Sequence, residues 1–377
     1  MTNHQQNVYL DYNASTPLHP EVAAVMQDCL SGFHGNPSGP HWAGSPAKKQ
    51  LEEARRKVAD LLGCTREEIV FTSGGSESNN QVLKGMFFGS NVKAPHIITS
   101  SVEHPAIVEP CHFLEGLGAR VTWLDVDSTG LIDPVQLEAA ITPETILISI
   151  MHANNEVGTI QPIEQCAKIA RNHGIPMHTD AAQSVGKIPT QVDELGVDFL
   201  SIAGHKLYAP KGVGALYMRR GTKLASLIHG AGHESGRRAG TESVLLTSAL
   251  GEACELASDL SAMSRVQDMR DRLWLGLNDI CGDRLHLNGH PEKRLPNTLN
   301  VSFAGQQGGE LLAKLPWLAA STGSACHAGI TELSPVLAAM GVATDIGAGA
   351  VRFSLGAKTT SAEIDAVISA FREQFTY

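Results

Sequence analysis

The chain has 377 residues, of which 42% are hydrophobic and 18% are charged, so it can bury a sizeable core and is not predicted to be disordered. At roughly 150 residues per domain, this length predicts two or three domains. The formal net charge of −10 argues against a protein that grips nucleic acid or binds membranes through a polybasic surface. We therefore expect neither nucleic acid nor a membrane among its partners.

No apolar run approaches the roughly 20 residues of a membrane span, and residues 1–15 lack the basic and apolar regions of a secretory signal. The cysteines are scattered, odd in number and never spaced as CxxC. They are Cys29, Cys64, Cys111, Cys166, Cys254, Cys281 and Cys326. This pattern argues against a disulfide scaffold and a zinc ribbon, so we expect free thiols, no metal site and a cytoplasmic setting.

Short apolar runs, each ending at a polar residue or a glycine turn, alternate with helix-like segments in the middle of the chain. The runs are Ile69–Thr72, His96–Ser100, Thr145–Met151, Ile175–Thr179 and Val197–Ala203. This alternation predicts a mostly parallel sheet with helices on both faces. One connecting helix is expected to have Pro162 at its first position and Gly174 at its end.

After about Ala262 the strict alternation is lost, which predicts a smaller α+β domain. Thr360 and Glu363 have the spacing of a capping box before an apolar pattern at helical period. We therefore expect an amphipathic helix near the C-terminus.

Ligands of open parallel sheets bind beyond the carboxyl ends of the strands. Residues from several predicted strand ends are therefore expected to converge, although they lie far apart in sequence. They are Ser76, His104, Asn155, Asp180, His205 and Lys206.

Three of these strand ends carry specific chemistry. The turn 73–79 opens a helix with glycines, which suits a lone phosphate, although taken alone a plain strand–helix turn is the favoured interpretation. Asp180 suits a protonated pyridine nitrogen or a structural helix cap. Lys206 is either a desolvated Schiff-base lysine or a solvated surface residue. Their order along the chain favours a pyridoxal 5'-phosphate (PLP) site.

Motifs along nearly the whole chain together resemble the cysteine desulfurase family of PLP enzymes, which is close to the selenocysteine lyases. They are residues 9–17 (YLDYNASTP), 35–38 (GNPS), 72–80 (TSGGSESNN), 101–104 (SVEH), 154–158 (NNEVG), 178–183 (HTDAAQ), 204–206 (GHK), 238–241 (RAGT), 323–326 (GSAC) and 352–356 (RFSLG). The resemblance implies the aspartate-aminotransferase-like α/β fold. That fold has a mostly parallel seven-stranded sheet in a large domain, here residues 16–262. The small domain, residues 1–15 and 263–377, would carry the catalytic cysteine loop.

The resemblance also implies a role for each matching residue. Lys206 would bind PLP covalently and move the Cα proton, Asp180 would hold the pyridinium nitrogen, and His104 would stack on the ring. Gln183 and Asn155 would contact the phenolic oxygen of the ring. Gly75, Ser76 and His205 would bind the phosphate, with Thr241 reaching it from the second subunit of a homodimer. Arg352, helped by Asn155, would bind the substrate carboxylate.

Cys326 lies in a small-residue segment, residues 321–329, where a thiol can be exposed and reactive. In the family, the corresponding thiolate takes the sulfur of L-cysteine as a persulfide, leaving L-alanine, and delivers it to an acceptor protein. Iron–sulfur cluster biogenesis is one use of that sulfur. An incidental loop cysteine is the alternative.

The length from Cys326 to Arg352 is that of the long-loop class. Three features depart from it: His327 follows the cysteine, Ala203 replaces a phosphate-binding serine, and the chain ends soon after its last helix. The first two are shared with animal selenocysteine lyases, so L-selenocysteine is the alternative substrate. The third argues against docking of an iron–sulfur scaffold. A sulfur carrier with a structural PLP, and another PLP reaction, are the remaining alternatives.

Overall fold

The computed structural model describes residues 7–322, 324–327 and 330–375, with the backbone alone for 324–327 and 330–332. The strands in that part of the chain are β1 (Val8–Tyr9), β2 (Ile69–Thr72), β3 (His96–Ser100), β4 (Arg120–Leu124), β5 (Thr145–Ser149), β6 (Met177–Asp180), β7 (Phe199–Ala203), β8 (Gly214–Met218), β9 (Leu285–Asn288), β10 (Thr298–Phe303), β11 (Leu318–Ala319), β12 (Ser321–Thr322), β13 (Ser324–His327), β14 (Ile330–Leu333) and β15 (Ala350–Ser354).

The α-helices of the same residues are α1 (Pro20–Gly32), α2 (Gly44–Leu62), α3 (Gly75–Gly89), α4 (Pro105–Glu115), α5 (Pro134–Ala140), α6 (Ile163–Asn172), α7 (Val192–Leu195), α8 (Val244–Ala257), α9 (Ser261–Cys281), α10 (Gly308–Ala313), α11 (Pro335–Ala339), α12 (Thr344–Gly347) and α13 (Ser361–Phe375). None of these helices is long and apolar enough to cross a bilayer.

The central sheet has seven strands in the order β2-β8-β7-β6-β5-β3-β4. Strand β8 is antiparallel to both of its neighbours, and every other pair is parallel. The predicted mostly parallel seven-stranded sheet is thus confirmed. Strand β6 begins at Met177, later than the apolar run, because Pro176 has no N–H to donate to a neighbouring strand.

Two helix predictions are confirmed with small shifts. Pro162 takes the N-cap position of α6, one residue before the predicted place, and Gly174 follows the helix with a left-handed φ of 67°. The Thr360 N–H donates to Glu363 Oε2 at 2.7 Å, and the Glu363 N–H donates to Thr360 Oγ1 at 3.3 Å. This reciprocal capping starts α13, which buries Ile364, Val367 and Phe371.

One hydrophobic core surrounds the strands of the central sheet, including Ile148, Leu200 and Ile202, and a separate core joins the two ends of the described chain. Val8 and Leu10 pack with buried residues that all follow position 265, including Leu273, Phe353 and Phe371. The four-stranded sheet that contributes to this core has the order β12-β15-β10-β9 and is antiparallel throughout. The division into 16–262 and 1–15 with 263–377 stays a prediction, and the membership of this core supports it.

Candidate active site

A cavity of about 460 Å³ lies at the carboxyl edge of the parallel strands. The predicted site residues that line it are Gly75, Ser76, His104, Asn155, Asp180, Gln183, His205, Lys206 and Arg352. Asp180 ends β6, His104 follows β3, and Lys206 follows β7. Strand polarity therefore brings these distant residues together, as expected for an open parallel sheet.

Asp180 is held in place on both of its carboxylate oxygens. Asn79 Nδ2 donates to Asp180 Oδ2 at 2.6 Å, and the Ala182 N–H donates to Asp180 Oδ1 at 2.9 Å. Asn79 lies on α3, one turn after Ser76, and is buried. The sequence motif contained Asn79 but gave it no role, and its spacing from Ser76 on the helix was the available signal. These two hydrogen bonds orient the Asp180 carboxylate toward the cavity, which Asn79, Asp180 and Ala182 all line.

Lys206 brings an amine of lowered pKa into the cavity lining. Its Nζ donates to the backbone oxygens of Asn13 and Ala14, the latter at 2.8 Å. Burial, assisted by the nearby charge of Arg352, lowers the pKa of Lys206 to about 8, while Asp11 and Asp180 oppose that shift. A substantial fraction of this amine is therefore neutral near physiological pH and able to accept a proton or act as a nucleophile.

Asn13 is a hub that sequence reasoning did not identify. Its backbone oxygen accepts from Lys206 and from Gln183 Nε2 at 3.0 Å. Its side-chain oxygen accepts from Asn297 Nδ2 at 3.0 Å, and its Nδ2 donates to the Asn155 oxygen at 3.2 Å. Asn13 thereby links three residues that line the cavity, Lys206, Gln183 and Asn155, to Asn297, which directly precedes β10.

A second buried lysine lies behind this hub. Lys187 Nζ donates to Gln183 Oε1 at 3.1 Å and to Asn13 Oδ1 at 3.3 Å. Burial first, and then the charges of Lys206 and Arg352, lower the pKa of Lys187 to about 7. Lys187 fixes the amide of Gln183, so that Gln183 presents a defined face to the cavity.

His104 occupies the N-cap of α4. The Ala106 N–H donates to His104 Nδ1 at 3.0 Å, which leaves Nδ1 without a proton. Burial lowers the pKa of His104, and the charge of Lys206 acts in the same direction while Asp180 opposes it. The ring is therefore neutral near pH 7, with its proton on Nε2.

Glu103 ties together the strand ends beneath His104. Its Oε1 accepts from Ser100 Oγ at 2.6 Å and from the Met151 N–H at 2.9 Å. Its Oε2 is buried with no partner in the described part of the chain. Burial raises the pKa of Glu103 to about 8, so the carboxyl group is mostly protonated at neutral pH. A neutral acid can remain under the cavity without an opposing charge.

The opening turn of α3 and the β7 terminus form a cradle that fits a phosphate group. Helix α3 begins at Gly75, and the first N–H groups of a helix have no partner within it. The Nδ1 of His205 is buried and has no partner among the residues the structure describes. A Cβ added at Gly75 would lie 3.3 Å from the Ala203 Cβ, so a side chain would crowd this close approach. Ala203 itself supplies no hydroxyl.

Arg352 approaches the cavity from the opposite side, on β15. Its Nη1 donates to the Asn155 oxygen at 3.0 Å, and its Nη2 donates to Asp11 Oδ1 at 2.7 Å and to Ser321 Oγ at 2.9 Å. Its Nε is buried and has no partner in the described residues. An arginine held this way offers a donor to a planar anion such as a carboxylate.

Thr241 and Cys326 are the two predicted site residues that remain to be located. Thr241 is exposed and does not line it. Cys326 lies on β13, whose backbone pairs with β14 in a register that places Cys326 opposite Thr331, and its side chain lies outside the described residues.

Comparisons with known proteins match the chain almost from end to end. Residues 8–367 match the aminotransferase class-V family. The chain is 48% identical to cysteine desulfurase IscS of Dictyoglomus turgidum over 96% of this chain and 92% of that protein. It is 46% identical to cysteine desulfurase IscS of Methanosarcina thermophila, over 97% and 91%.

Solved structures agree. A NifS-like protein with 38% identity superposes with a TM-score of 0.92, covering 98% of this chain and 99% of that one. The structure of SspA in complex with cysteine, 39% identical, gives a TM-score of 0.83 over 93% and 99%. The fold, the cavity at its strand ends and these relatives together place the chain in the cysteine desulfurase family of class-V aminotransferases.

Proposed function

We propose that the chain converts L-cysteine to L-alanine with bound PLP and transfers the sulfur to Cys326 as a persulfide for an acceptor protein. One observation carries this proposal: a single cavity brings together Lys206, Asp180 and Arg352, which are separated in sequence. A lysine of lowered pKa matches the aldehyde of PLP, a buried carboxylate matches its pyridinium nitrogen, and an arginine matches the carboxylate of an amino acid.

The residues of the cavity fit PLP. Asp180 would pair with the ring nitrogen, Gln183 and Asn155 would contact the ring oxygen, and His104 would stack on the ring. The orphaned His205 Nδ1 and the first N–H groups of α3, at Gly75 and Ser76, would bind the phosphate. When bound, PLP supplies an electron sink that makes the Cα proton of an amino acid acidic.

The chain's own groups would then orient the substrate and move protons. Arg352 and Asn155 would hold the carboxylate of the amino acid and so direct its Cα–H bond toward Lys206. The lowered pKa of Lys206, about 8, leaves enough neutral amine to take that proton. The neutral His104 ring, with its proton on Nε2, would assist further proton transfer.

Sulfur transfer needs no external oxidant. The Cys326 thiolate attacks the substrate sulfur, a sulfur–sulfur bond forms, and the Cβ–sulfur bond breaks. Each of the two sulfur atoms is formally oxidised by one electron, Cβ is reduced by the two electrons of the broken bond, and a proton completes the methyl group of alanine. The six other cysteines suit this role poorly, because burial raises the pKa of each and keeps it a thiol.

The loop before Thr241 supports a homodimer with shared sites. Glu234 and Ser235 have left-handed φ values of 49° and 58°, which cost energy in residues other than glycine. Arg55 Nη1 and Nη2 hold the buried Glu234 carboxylate at 2.6 and 2.8 Å, and the Phe71 N–H donates to it at 2.9 Å. A strained loop so firmly fixed, ending at a threonine outside its own cavity, is suited to complete the site of a second copy.

Thr241→Ala is expected to weaken PLP binding about tenfold, the size expected for one hydrogen bond to a charged group. Co-expression of Thr241→Ala with Lys206→Ala should restore one tight site per mixed dimer, because each site would take Lys206 from one chain and Thr241 from the other. Calorimetric titration of the apoprotein with PLP measures this. Unchanged affinity in Thr241→Ala, or no restoration in the purified mixed dimer, would contradict shared sites.

The acceptor of the sulfur is proposed to be another protein that presents a nucleophilic thiol. The cellular setting of the chain is proposed to be cytoplasmic. The described cysteines Cys29, Cys64, Cys111, Cys166, Cys254 and Cys281 are all free. Free thiols in such number are typical of a reducing compartment.

The proposed function is tested by incubating the PLP-loaded protein with L-cysteine and measuring alanine, sulfide and the cofactor absorbance. We expect alanine to appear and the absorbance band to shift. Parallel kcat/KM values for L-selenocysteine decide between the two substrates, since turnover of selenocysteine with almost none of cysteine would establish the lyase. A loaded protein that releases alanine from neither substrate would overturn the proposal.

A further inference from the structure

Arg352, the proposed receptor of the substrate carboxylate, is already bound to a carboxylate of this chain. Asp11 Oδ1 accepts from Arg352 Nη2 at 2.7 Å, and Ser321 Oγ donates to the same oxygen at 2.8 Å. The side chains of Arg352 and Asp11 are 11% and 20% exposed. The pair is thus largely shielded from water, and its attraction exceeds that of a surface ion pair.

The backbone holds Asp11 in this position. The Leu10 N–H donates to the Ala319 oxygen at 2.8 Å, and the Ser354 N–H donates to the Leu10 oxygen at 2.7 Å. The segment around Asp11 therefore runs between β11 and β15 and is bonded to both. Ser321 and Arg352 face each other directly across β12 and β15. The three side chains meet because of strand register.

We propose that Asp11 is an internal competitor for the substrate carboxylate, occupying Arg352 in the free enzyme. This inference rests on the proposed function. Arg352 Nε has no partner in the described part of the chain, whereas the neighbouring Nη2 is taken by Asp11. A substrate carboxylate that accepts hydrogen bonds from both Nε and Nη2 of Arg352 must displace Asp11 from Nη2. Asp11 thereby sets how tightly α-amino acids bind.

The pairing of Asp11 with Arg352 has an energetic consequence before a substrate binds. Without Asp11, Arg352 would be a shielded cation whose hydrogen-bond partners among the described residues, Asn155 and Ser321, are neutral, which is costly. With Asp11, the site exchanges one carboxylate for another, so the substrate gains less binding energy and dissociates more easily. Ser321 begins β12 and bonds both members of the pair, so displacement of Asp11 also removes one of the contacts of that strand.

The test is Asp11→Asn, which keeps the side-chain shape and an acceptor for Arg352 but removes the charge. Calorimetry on the PLP-loaded protein measures the Kd of L-alanine, and of ethylamine, which has the same amine but no carboxylate. Because a like charge at this distance is removed, L-alanine should bind about tenfold more tightly while ethylamine affinity stays within about twofold. The KM for L-cysteine should fall in parallel with the Kd of L-alanine.

Asp60→Asn is the matched control, because Asp60 is also paired with an arginine, Arg56, but on the exposed face of α2. It should change neither affinity. Ser321→Ala serves as a second variant if Asp11→Asn does not fold, with a smaller tightening in the same direction. Unchanged or weaker L-alanine binding in Asp11→Asn, or equal tightening of both ligands, overturns the inference. Wild-type protein without cysteine turnover would instead overturn the proposed function on which it rests.

Discussion

Lys206→Ala is expected to abolish alanine formation from L-cysteine, with a loss of roughly 10³-fold or more, because in the proposed function this one amine would both bind the cofactor and move the Cα proton. The position of Lys206 in the cavity, together with its pKa lowered to about 8, is the basis for assigning it both tasks. The variant should retain the fold, since among the described residues the replaced Nζ donates hydrogen bonds only to two backbone oxygens. Alanine release and the cofactor absorbance are the measurements.

The control for this variant is Lys168→Ala, since Lys168 is exposed on α6 and distant from the cavity lining. A sharper check identifies the lysine to which PLP becomes covalently attached when the PLP-loaded protein is reduced with borohydride. Lys187 is the rival, because its pKa is lowered to about 7. Lys206 lines the cavity and Lys187 lies behind it, so the label should be on the Lys206 peptide. A label on Lys187 in the wild type would refute the assignment.

Cys326→Ala is expected to eliminate the enzyme persulfide and to slow alanine formation by about 10²-fold or more, because breaking the Cβ–sulfur bond requires a thiolate that accepts the sulfur. The absorbance change on adding L-cysteine should persist, since Lys206 and Asp180 are unaltered. Mass spectrometry after a single turnover should find one added sulfur atom at Cys326 in the wild type. None should be found in the variant.

Cys64→Ala is the matched control for that loss. Cys64 is half-buried, and burial raises its pKa to about 12, so its thiol stays protonated and unreactive. This variant should keep both the persulfide and the rate. If Cys326→Ala released alanine and sulfide at the wild-type rate, the transfer of sulfur to Cys326 would be refuted.

The central sheet and the residues at its strand ends could be predicted from sequence because both depend on local pattern. Asp180 and Lys206 follow apolar runs directly, and strand polarity then places them at one edge. Thr241 could be assigned only by resemblance, and a single chain leaves it outside the cavity.

The contacts around Asn13 and Asp11 could not be predicted, because they depend on how residues 8–13 pair with strands that lie about 300 residues later in the sequence. Asp11 meets Ser321 and Arg352 only because residues 8–12 enter between β11 and β15. Lys187 is also unremarkable in sequence, since nothing local shows that its amine is buried against Gln183 and Asn13. Its spacing of four residues from Gln183 was the only local signal.

The pairing of residues 8–13 with β11 and β15 also determines when the cavity can be completed during synthesis. The Asn13 N–H bonds to Ser354 Oγ across a sequence separation of 341 residues, and Asn13 also accepts from Lys206. The central sheet can assemble as soon as its strands leave the ribosome, but residues 8–13 must wait for β11 and β15. Such distant pairing slows folding, because loop closure precedes any gain from the contacts. A nascent chain can therefore contain Lys206 in a folded sheet before its amine has been fixed for chemistry.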